Sequence, residues 1–298
     1  WTIYHAIDSE TANPFQAYQA TRYVDTAIPH IPVTAHGLKE NGYATIATTN
    51  WLPYSWSINN VAFAEVMHTA LSYFQAGRAD AGYKLLKSSV LDGMYLGDSP
   101  GNFGQISFYD AARGECYRDF GDPIGVASRV LIQGLFGILP DALNKQIILR
   151  PGFPADWDKA SVSTPDISYR FTRKEDTDTY HITQRFQTPL HPVLQINARK
   201  EKIRSVKVND VPATWQSIES AHGYPLLSIQ AEGTSSTTIT IEWEGAPLHT
   251  LAAQEPVIAS NGKLALQIPS GASISQVYDP QSVLAKHTVE ATAFNAQI

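Results

Sequence analysis

The 298-residue sequence has one cysteine, Cys116, and few charged side chains. A single cysteine excludes an internal disulfide framework and any zinc site built on cysteines. Charged residues make up 17% of the chain, whereas soluble domains usually contain roughly 25%. The polar surface therefore relies on uncharged side chains, which suits a neutral, polyhydroxylated ligand.

Basic residues are scarcer than acidic ones. The 22 Lys and Arg residues against 28 Asp and Glu residues give a net charge of −6. An acidic chain without a run of Lys or Arg repels polyanions, so nucleic acid is not expected as a partner. The charge-free stretch over residues 41–64 contains Asn, Thr, Ser and Pro throughout. It cannot supply the about 20 apolar residues of a membrane span.

Several catalytic and cofactor signatures are also missing. The sequence has no Gly-x-Ser-x-Gly elbow, no phosphate-binding glycine loop and no dinucleotide fingerprint. Its nine histidines are scattered, without a His-x-x-x-His pair or a calcium loop. We therefore expect neither a metal nor a cofactor. The chain begins at Trp1 as if in the middle of a domain and shows no signal sequence, so we expect a fragment whose partners include the remainder of its parent chain.

The hydrophobic pattern up to about Leu143 is helical. Asn13 followed by Pro14 is typical of a capped helix start. Asp122 followed by Pro123 has the same form, with Asp122 as the expected cap. Apolar residues recur at helical spacing in the predicted helices. The predicted helices span residues 13–25, 60–75, 79–90 and 122–137.

After Pro140 the apolar residues alternate with a period of two, as in Ile167, Tyr169 and Phe171. Short strands separated by turn residues are typical of an antiparallel β-sandwich. We therefore predict a helical part over residues 1–143, a β-sandwich over 144–247, and a β-rich segment over 248–298 that is an extra layer or the start of a further domain. Strand-like runs cover residues 180–186, 193–196, 203–208, 226–231, 237–243, 264–268 and 290–294.

Three motifs around the change of period resemble a known family. The runs Gly134–Asp141, Gln146–Gly152 and Ile167–Phe171 resemble the end of the catalytic domain in six-hairpin glycosidases. They are most similar to the α-L-rhamnosidases, in which a Gly-Ile-x-Pro-Asp turn leads from the last inner helix into the sandwich. The stretch over residues 50–60 resembles helical repeats of related bacterial polysaccharide-degrading proteins.

The resemblance covers about residues 1–245 and implies a fold, an activity and a location. The fold is a partial (α/α)6 toroid followed by an antiparallel β-sandwich. Only four or five of the twelve toroid helices are present, so the rest would lie on other sequence. The activity is glycoside hydrolysis of a polysaccharide or oligosaccharide, in an extracellular or periplasmic enzyme that needs no cofactor.

Glycoside hydrolysis requires two carboxyl groups that flank the scissile bond. Residues 114–122 carry Glu115, Asp119 and Asp122 ahead of a predicted helix. The resemblance implies that a Glu in this loop is the general base, and Glu115 matches best; we favour an inverting reaction. Asp119 is a further catalytic candidate, although it and Arg118 could instead form a loop ion pair.

Glu65 is the other catalytic candidate and shares a helix flank with His68. The two could line a polar cavity, with His68 contacting substrate. They could equally form a solvated surface or a satisfied buried pair. Asp8, just before the first predicted helix, is a weaker candidate that helix capping explains.

Aromatic and amide side chains precede the second predicted helix. Flat rings stack on the C–H faces of sugars, and amides bind hydroxyl edges. Rings near a helix start are also ordinary core residues. We expect this segment and the Glu115 loop to converge on one concave surface; the rival hypothesis is a non-catalytic glycan-binding or structural module. The expected substrate contacts are Trp51, Tyr54, Trp56, Asn59, Asn60, Tyr117, Arg118 and His68.

Overall fold

The chain is described by a computed structural model that falls into two compact units, residues 1–248 and 249–298. Residue 60 and the segments 108–110 and 115–117 are described by their backbone alone. The described residues are 2–48, 60–96, 108–110, 115–117, 121–218, 223–248, 258–268, 273–274, 276–279 and 281–298.

Helices occupy much of the first 135 residues. The predicted cap at Asn13 is confirmed: its side chain accepts a hydrogen bond from the Gln16 backbone N–H at 2.9 Å, and the Gln16 side chain accepts one from the Asn13 N–H at 2.9 Å. The third predicted helix has the expected bounds. The helices are α1 (Thr2–Asp8), α2 (Pro14–Ala27), α3 (Phe63–Gln75), α4 (Ala79–Val90) and α5 (Asp122–Arg129), with π-helical segments at Leu91–Leu96 and Val130–Leu135.

Two helix starts differ from the sequence prediction. The predicted helix over 60–75 begins only at Phe63, because residues Asn60–Ala62 pair with a distant strand. Asp122 is the first residue of α5 and not its cap; Gly121 occupies the cap position without a side-chain hydrogen bond. A carboxylate in the first turn is still favourable, because it faces the positive end of the helix dipole.

Two small antiparallel sheets interrupt the helical part, and the sequence pattern predicted neither. One pairs β1 (His30–Pro32) with β2 (Ala44–Ile46). The other has the order β3-β4-β5, with β4 in the centre. The strands of this second sheet are β3 (Asn60–Ala62), β4 (Phe108–Asp110) and β5 (Glu115–Tyr117).

Two larger sheets follow, of six and five strands. Most pairs are antiparallel, but β7 and β11 run parallel. The alternating pattern confirms the predicted strands, because inward residues such as Tyr169 and Phe171 are buried while their neighbours are more exposed. The strands are β6 (Ile138–Asp141), β7 (Gln146–Leu149), β8 (Lys159–Ser163), β9 (Ile167–Lys174), β10 (Thr177–Gln184), β11 (His191–Asn197), β12 (Lys200–Val208), β13 (Val211–Pro212), β14 (Gln216–Ile218), β15 (Leu226–Gln230) and β16 (Ser236–Pro247).

The turn at the Gly-Ile-x-Pro-Asp motif joins the helices to these sheets. Gly137 has a φ of +65°, and a Cβ there would lie 1.9 Å from the Arg150 carbonyl oxygen. A Cβ on Gly134 would lie 2.6 Å from the Phe74 ring. Both positions therefore require glycine. Phe74 of α3 and residues of both sheets belong to one hydrophobic core.

Residues 249–298 form the second unit. Its antiparallel sheet has the order β17-β19-β18, and Phe294 and Ala296 are buried. The predicted strand over 290–294 is shifted, because residues 290–292 connect two strands instead of lying within one. The strands are β17 (Lys263–Gln267), β18 (Lys286–Val289) and β19 (Ala293–Gln297). Among the described residues of the whole chain, no helix is long and apolar enough to cross a bilayer.

Candidate functional site

The β3-β4-β5 sheet brings three polar residues into one cross-strand row. Asn60 pairs with Asp110, and Asp110 pairs with Glu115. Residues directly opposite each other in antiparallel strands have Cα atoms about 4.5–5.5 Å apart and share a face of the sheet. The ends of the two segments singled out in the sequence therefore lie two strands apart, joined through Asp110. We call Asn60, Asp110 and Glu115 the polar row.

Two helices begin close in sequence to strands of the polar row. Strand β3 runs directly into α3, and α5 begins at Asp122, five residues after β5 ends at Tyr117. Loops and strand ends that lead into helices are common positions for site residues, because the helices supply a rigid frame.

Sequence reasoning missed Asp110. A signal for it existed: Phe108–Asp110 and Glu115–Tyr117 flank Ala-Ala-Arg-Gly, and a four-residue connection that contains Gly is typical of a hairpin. The pairing of β4 with β3, nearly fifty residues earlier, has no local signal.

The sequence candidates fall into three groups. Asn60, Glu115 and Tyr117 lie in β3 and β5 and are described by their backbone alone. Glu65 and His68 lie on α3. The predicted approach of Trp56 to Glu115 stays a prediction. The candidates outside the described residues are Trp51, Tyr54, Trp56, Asn59, Arg118 and Asp119.

A second group of polar residues connects α1, α3 and α5. Arg129 at the end of α5 donates to both oxygens of Asp8 on α1, with Nη1–Oδ2 at 2.7 Å and Nη2–Oδ1 at 2.6 Å. Its Nη1 also lies 3.2 Å from His68 Nε2, and Gln75 Nε2 donates to Asp8 Oδ1 at 3.0 Å. We call Asp8, His68, Gln75 and Arg129 the helical polar cluster. The explanation of Asp8 by helix capping is thus wrong, because its carboxylate forms an ion pair.

The protonation states in this cluster follow from burial and from Arg129. Burial acts to raise the pKa of Asp8, but hydrogen bonds from Arg129 and Gln75, with the Arg129 charge, outweigh it and hold that pKa below its usual value. Burial, and then the charge on Arg129, lower the pKa of His68. Arginine cannot accept a hydrogen bond, so His68 Nε2 is the acceptor and the neutral ring carries its proton on Nδ1.

Tyr4 packs against the cluster. Its ring stacks on His68 with centroids 4.9 Å apart and lies tilted against His5 at 4.6 Å. Burial raises the pKa of Tyr4, and the negative charge of Glu65 raises it further, so the phenol stays neutral at ordinary pH. Glu65 is in the first turn of α3. The contacts of His68 favour a satisfied, half-buried position for this residue over a solvated face.

The cluster holds the three helices together but offers no activated nucleophile. Within the described residues, no group of three or more His, Cys, Asp or Glu side chains is placed to hold a metal ion.

No protein-family model and no curated protein matches the chain. Among solved structures, an α-L-rhamnosidase from Dictyoglumus thermophilum aligns with 61% of this chain and 21% of its own length, at a TM-score of 0.41 and 14% identity. An α-L-rhamnosidase from Streptomyces avermitilis complexed with L-rhamnose aligns over 60% and 18%, at a TM-score of 0.37 and 14% identity.

A GH127 β-L-arabinofuranosidase from Geobacillus stearothermophilus T6 aligns with 78% of this chain and 46% of its own length, at a TM-score of 0.27 and 9% identity. The chain thus spans about a fifth of the length of the two rhamnosidases. Similarity at this level assigns neither a fold nor an activity to the chain.

Proposed function

We propose that this chain is part of a glycoside hydrolase that cleaves a neutral polysaccharide or oligosaccharide by carboxylate acid–base catalysis. The polar row carries the proposal, because its register brings Glu115 beside a second acid, Asp110, and two strands from the amide residue Asn60. The motifs at residues 134–152 support it by their resemblance to six-hairpin glycosidases.

Glu115 is the proposed general base, which removes a proton from the attacking water. Inversion requires that the acid and base carboxyls stand about 6.5–9.5 Å apart, whereas direct cross-strand neighbours have Cβ atoms about 4.5–5.5 Å apart. Asp110 is therefore too close to Glu115 to be the acid of an inverting pair. It is assigned as a carboxylate that lies next to the base. The acid would come from Glu65, from Asp119 or from another part of the parent chain.

The other parts of the helical region bind and position the substrate in this proposal. Trp51, Tyr54 and Trp56 stack on sugar rings while Asn59 and Asn60 bind hydroxyls, and Tyr117 and Arg118 complete the contacts from the opposite segment. The helical polar cluster fixes α1, α3 and α5, which would be inner helices of a partial (α/α)6 toroid, and the two larger sheets would form its β-sandwich. The parent enzyme would act outside the cytoplasm.

The proposal is tested by hydrolysis assays on the parent protein with 4-nitrophenyl glycosides, beginning with the α-L-rhamnopyranoside because of the motif resemblance. The anomer released first is then read by ¹H NMR. We expect hydrolysis with inversion. Retention would overturn the assignment of Glu115 as a base towards water, and glycan binding without hydrolysis of any glycoside would favour the non-catalytic module.

A further inference from the structure

A surface pocket of about 300 Å³ lies among strands of the two larger sheets, built from elements other than those of the polar row. Its polar lining consists of Gln146, His191, Gln230 and Glu232, and Val211 and Pro212 contribute to an apolar wall. We call it the strand pocket. Its volume is at the lower end of the range of about 300–1,000 Å³ for small-molecule sites, so it suits one sugar unit rather than an oligosaccharide.

The register of three adjacent strands places the polar residues together. Gln146 of β7 is the partner of His191 on β11, and Val193, two residues further along β11, is the partner of Gln230 on β15. Residues in register, or two apart on one strand, share a face of the sheet. Gln146, His191 and Gln230 therefore occupy one face of a hydrogen-bonded sheet, and such a rigid arrangement requires little ordering when a ligand binds.

The hydrogen bonding of His191 determines what its ring can offer. The Gly233 backbone N–H donates to His191 Nδ1 at 3.1 Å, so in the neutral ring the proton is on Nε2 and that atom is the donor. The Glu232 carboxylate lies 3.6 Å from Nδ1, beyond hydrogen-bond distance, and its side chain is 91% exposed. The pocket thus combines a ring N–H donor, a carboxylate acceptor and two amides that both donate and accept.

This lining selects against other ligand classes. Among the described residues, no Lys or Arg lines the strand pocket, so this lining lacks the charge that a phosphate or carboxylate ligand requires. His191 and Glu232 alone fall short of the three or four protein ligands of a zinc site. Mixed donors and acceptors beside an apolar wall complement a sugar, which has hydroxyl edges and C–H faces.

We propose that the strand pocket binds a single neutral sugar unit and forms a second carbohydrate site, separate from the polar row. The sugar class rests on the proposed function, but the pocket needs none of the catalytic residues. Its expected role is to retain a polymeric substrate, with a dissociation constant on the order of 1 mM, since few hydrogen bonds are made.

The test is an NMR titration of the isotope-labelled full chain with L-rhamnose, D-galactose and D-glucose, with inorganic phosphate as the comparison ligand. We expect at least one sugar to shift the Gly233 amide and the His191 ring resonances, and phosphate to leave them unchanged. Gln146→Ala and Gln230→Ala should each weaken binding roughly fivefold, which is the value of about one hydrogen bond.

Asn197→Ala provides the matched control, because Asn197 is an amide residue on β11 that does not line the pocket. It should bind like the unmodified chain. Absence of sugar-induced shifts, shifts caused by phosphate instead, or binding by both glutamine variants that equals binding by the unmodified chain would overturn the proposal. Hydrolysis of a soluble 4-nitrophenyl glycoside should be unchanged in both glutamine variants, and sugar binding should persist in Glu115→Gln, so failure of one proposed site can be distinguished from failure of the other.

Discussion

The helical part and the sheet part each contain an aspartate paired with arginine, but the two ion pairs differ in burial. Asp178 on β10 is 2% exposed; Arg173 and Arg199 each donate to it at 3.1 Å, and Trp243 Nε1 donates at 2.9 Å. The Asp8 carboxylate is 20% exposed and Arg129 is 35% exposed. The comparison shows that an aspartate–arginine ion pair is buried in the sheet part, whereas in the helical part it lies at a more exposed contact between helices.

The buried pair should show the largest effect on stability. Removing one partner of a buried ion pair leaves uncompensated charge and typically costs about 3–5 kcal/mol. We therefore expect Asp178→Asn to lower the free energy of unfolding in urea by this amount. Asp176→Asn is the control two residues away, because Asp176 pairs with Lys200 at 2.7 Å on the surface and should leave stability unchanged. Equal effects of the two substitutions would contradict the role given to burial.

The partly exposed Asp8–Arg129 pair should show a smaller, pH-dependent effect. After allowance for solvent screening, we expect Asp8→Asn to cost about 1 kcal/mol at neutral pH. The pKa of Asp8 is lowered in the folded state, so its contribution is complete above the unfolded pKa of about 4 and is lost as the pH falls through the lower folded pKa. Urea unfolding of both proteins across this range checks the sign. A difference that grows on acidification would refute the ion pair.

His68 should give the smallest effect, in a different pH window. Its folded pKa is lowered, so the unfolded chain binds the proton more readily, and the protein loses stability as the pH falls below the unfolded value of about 6.5. His68→Gln keeps an acceptor for Arg129 but cannot titrate. We expect it to reduce the slope of stability against pH between about 7 and 5. An unchanged slope would show that His68 is not the titrating group.

Local patterns were sufficient to predict much of the secondary structure. Residues near one another in sequence were sufficient to predict the capped start of α2, the bounds of α4 and the alternating strands. In each of these segments the spacing of apolar residues matches the period of the helix or strand. The start of α3 was mispredicted because Asn60–Ala62 pair with Phe108–Asp110. The pattern of apolar residues within Asn60–Ala62 does not indicate this pairing.

The site was harder to predict for the same reason. Glu65 and His68 could be recognised because they share one helix, whereas Asp8 and Arg129 are 121 residues apart and meet only through the packing of α1 and α5 on α3. Asp110 is a candidate only because the register of β4 and β5 places it opposite Glu115. Sequence reasoning therefore identified residue types suited to the chemistry but not the contacts between distant segments.

The central claim is that the polar row is catalytic, and kcat/KM of Glu115→Gln in the parent protein tests it most directly. Removal of a general base typically costs about 10²–10⁴-fold in rate, so we expect a loss of this size with little change in substrate binding. Asp122→Asn, in the same sequence segment but at the first residue of α5, should retain near-normal activity, and Asp110→Asn should fall between the two. Near-normal turnover by Glu115→Gln would contradict the account.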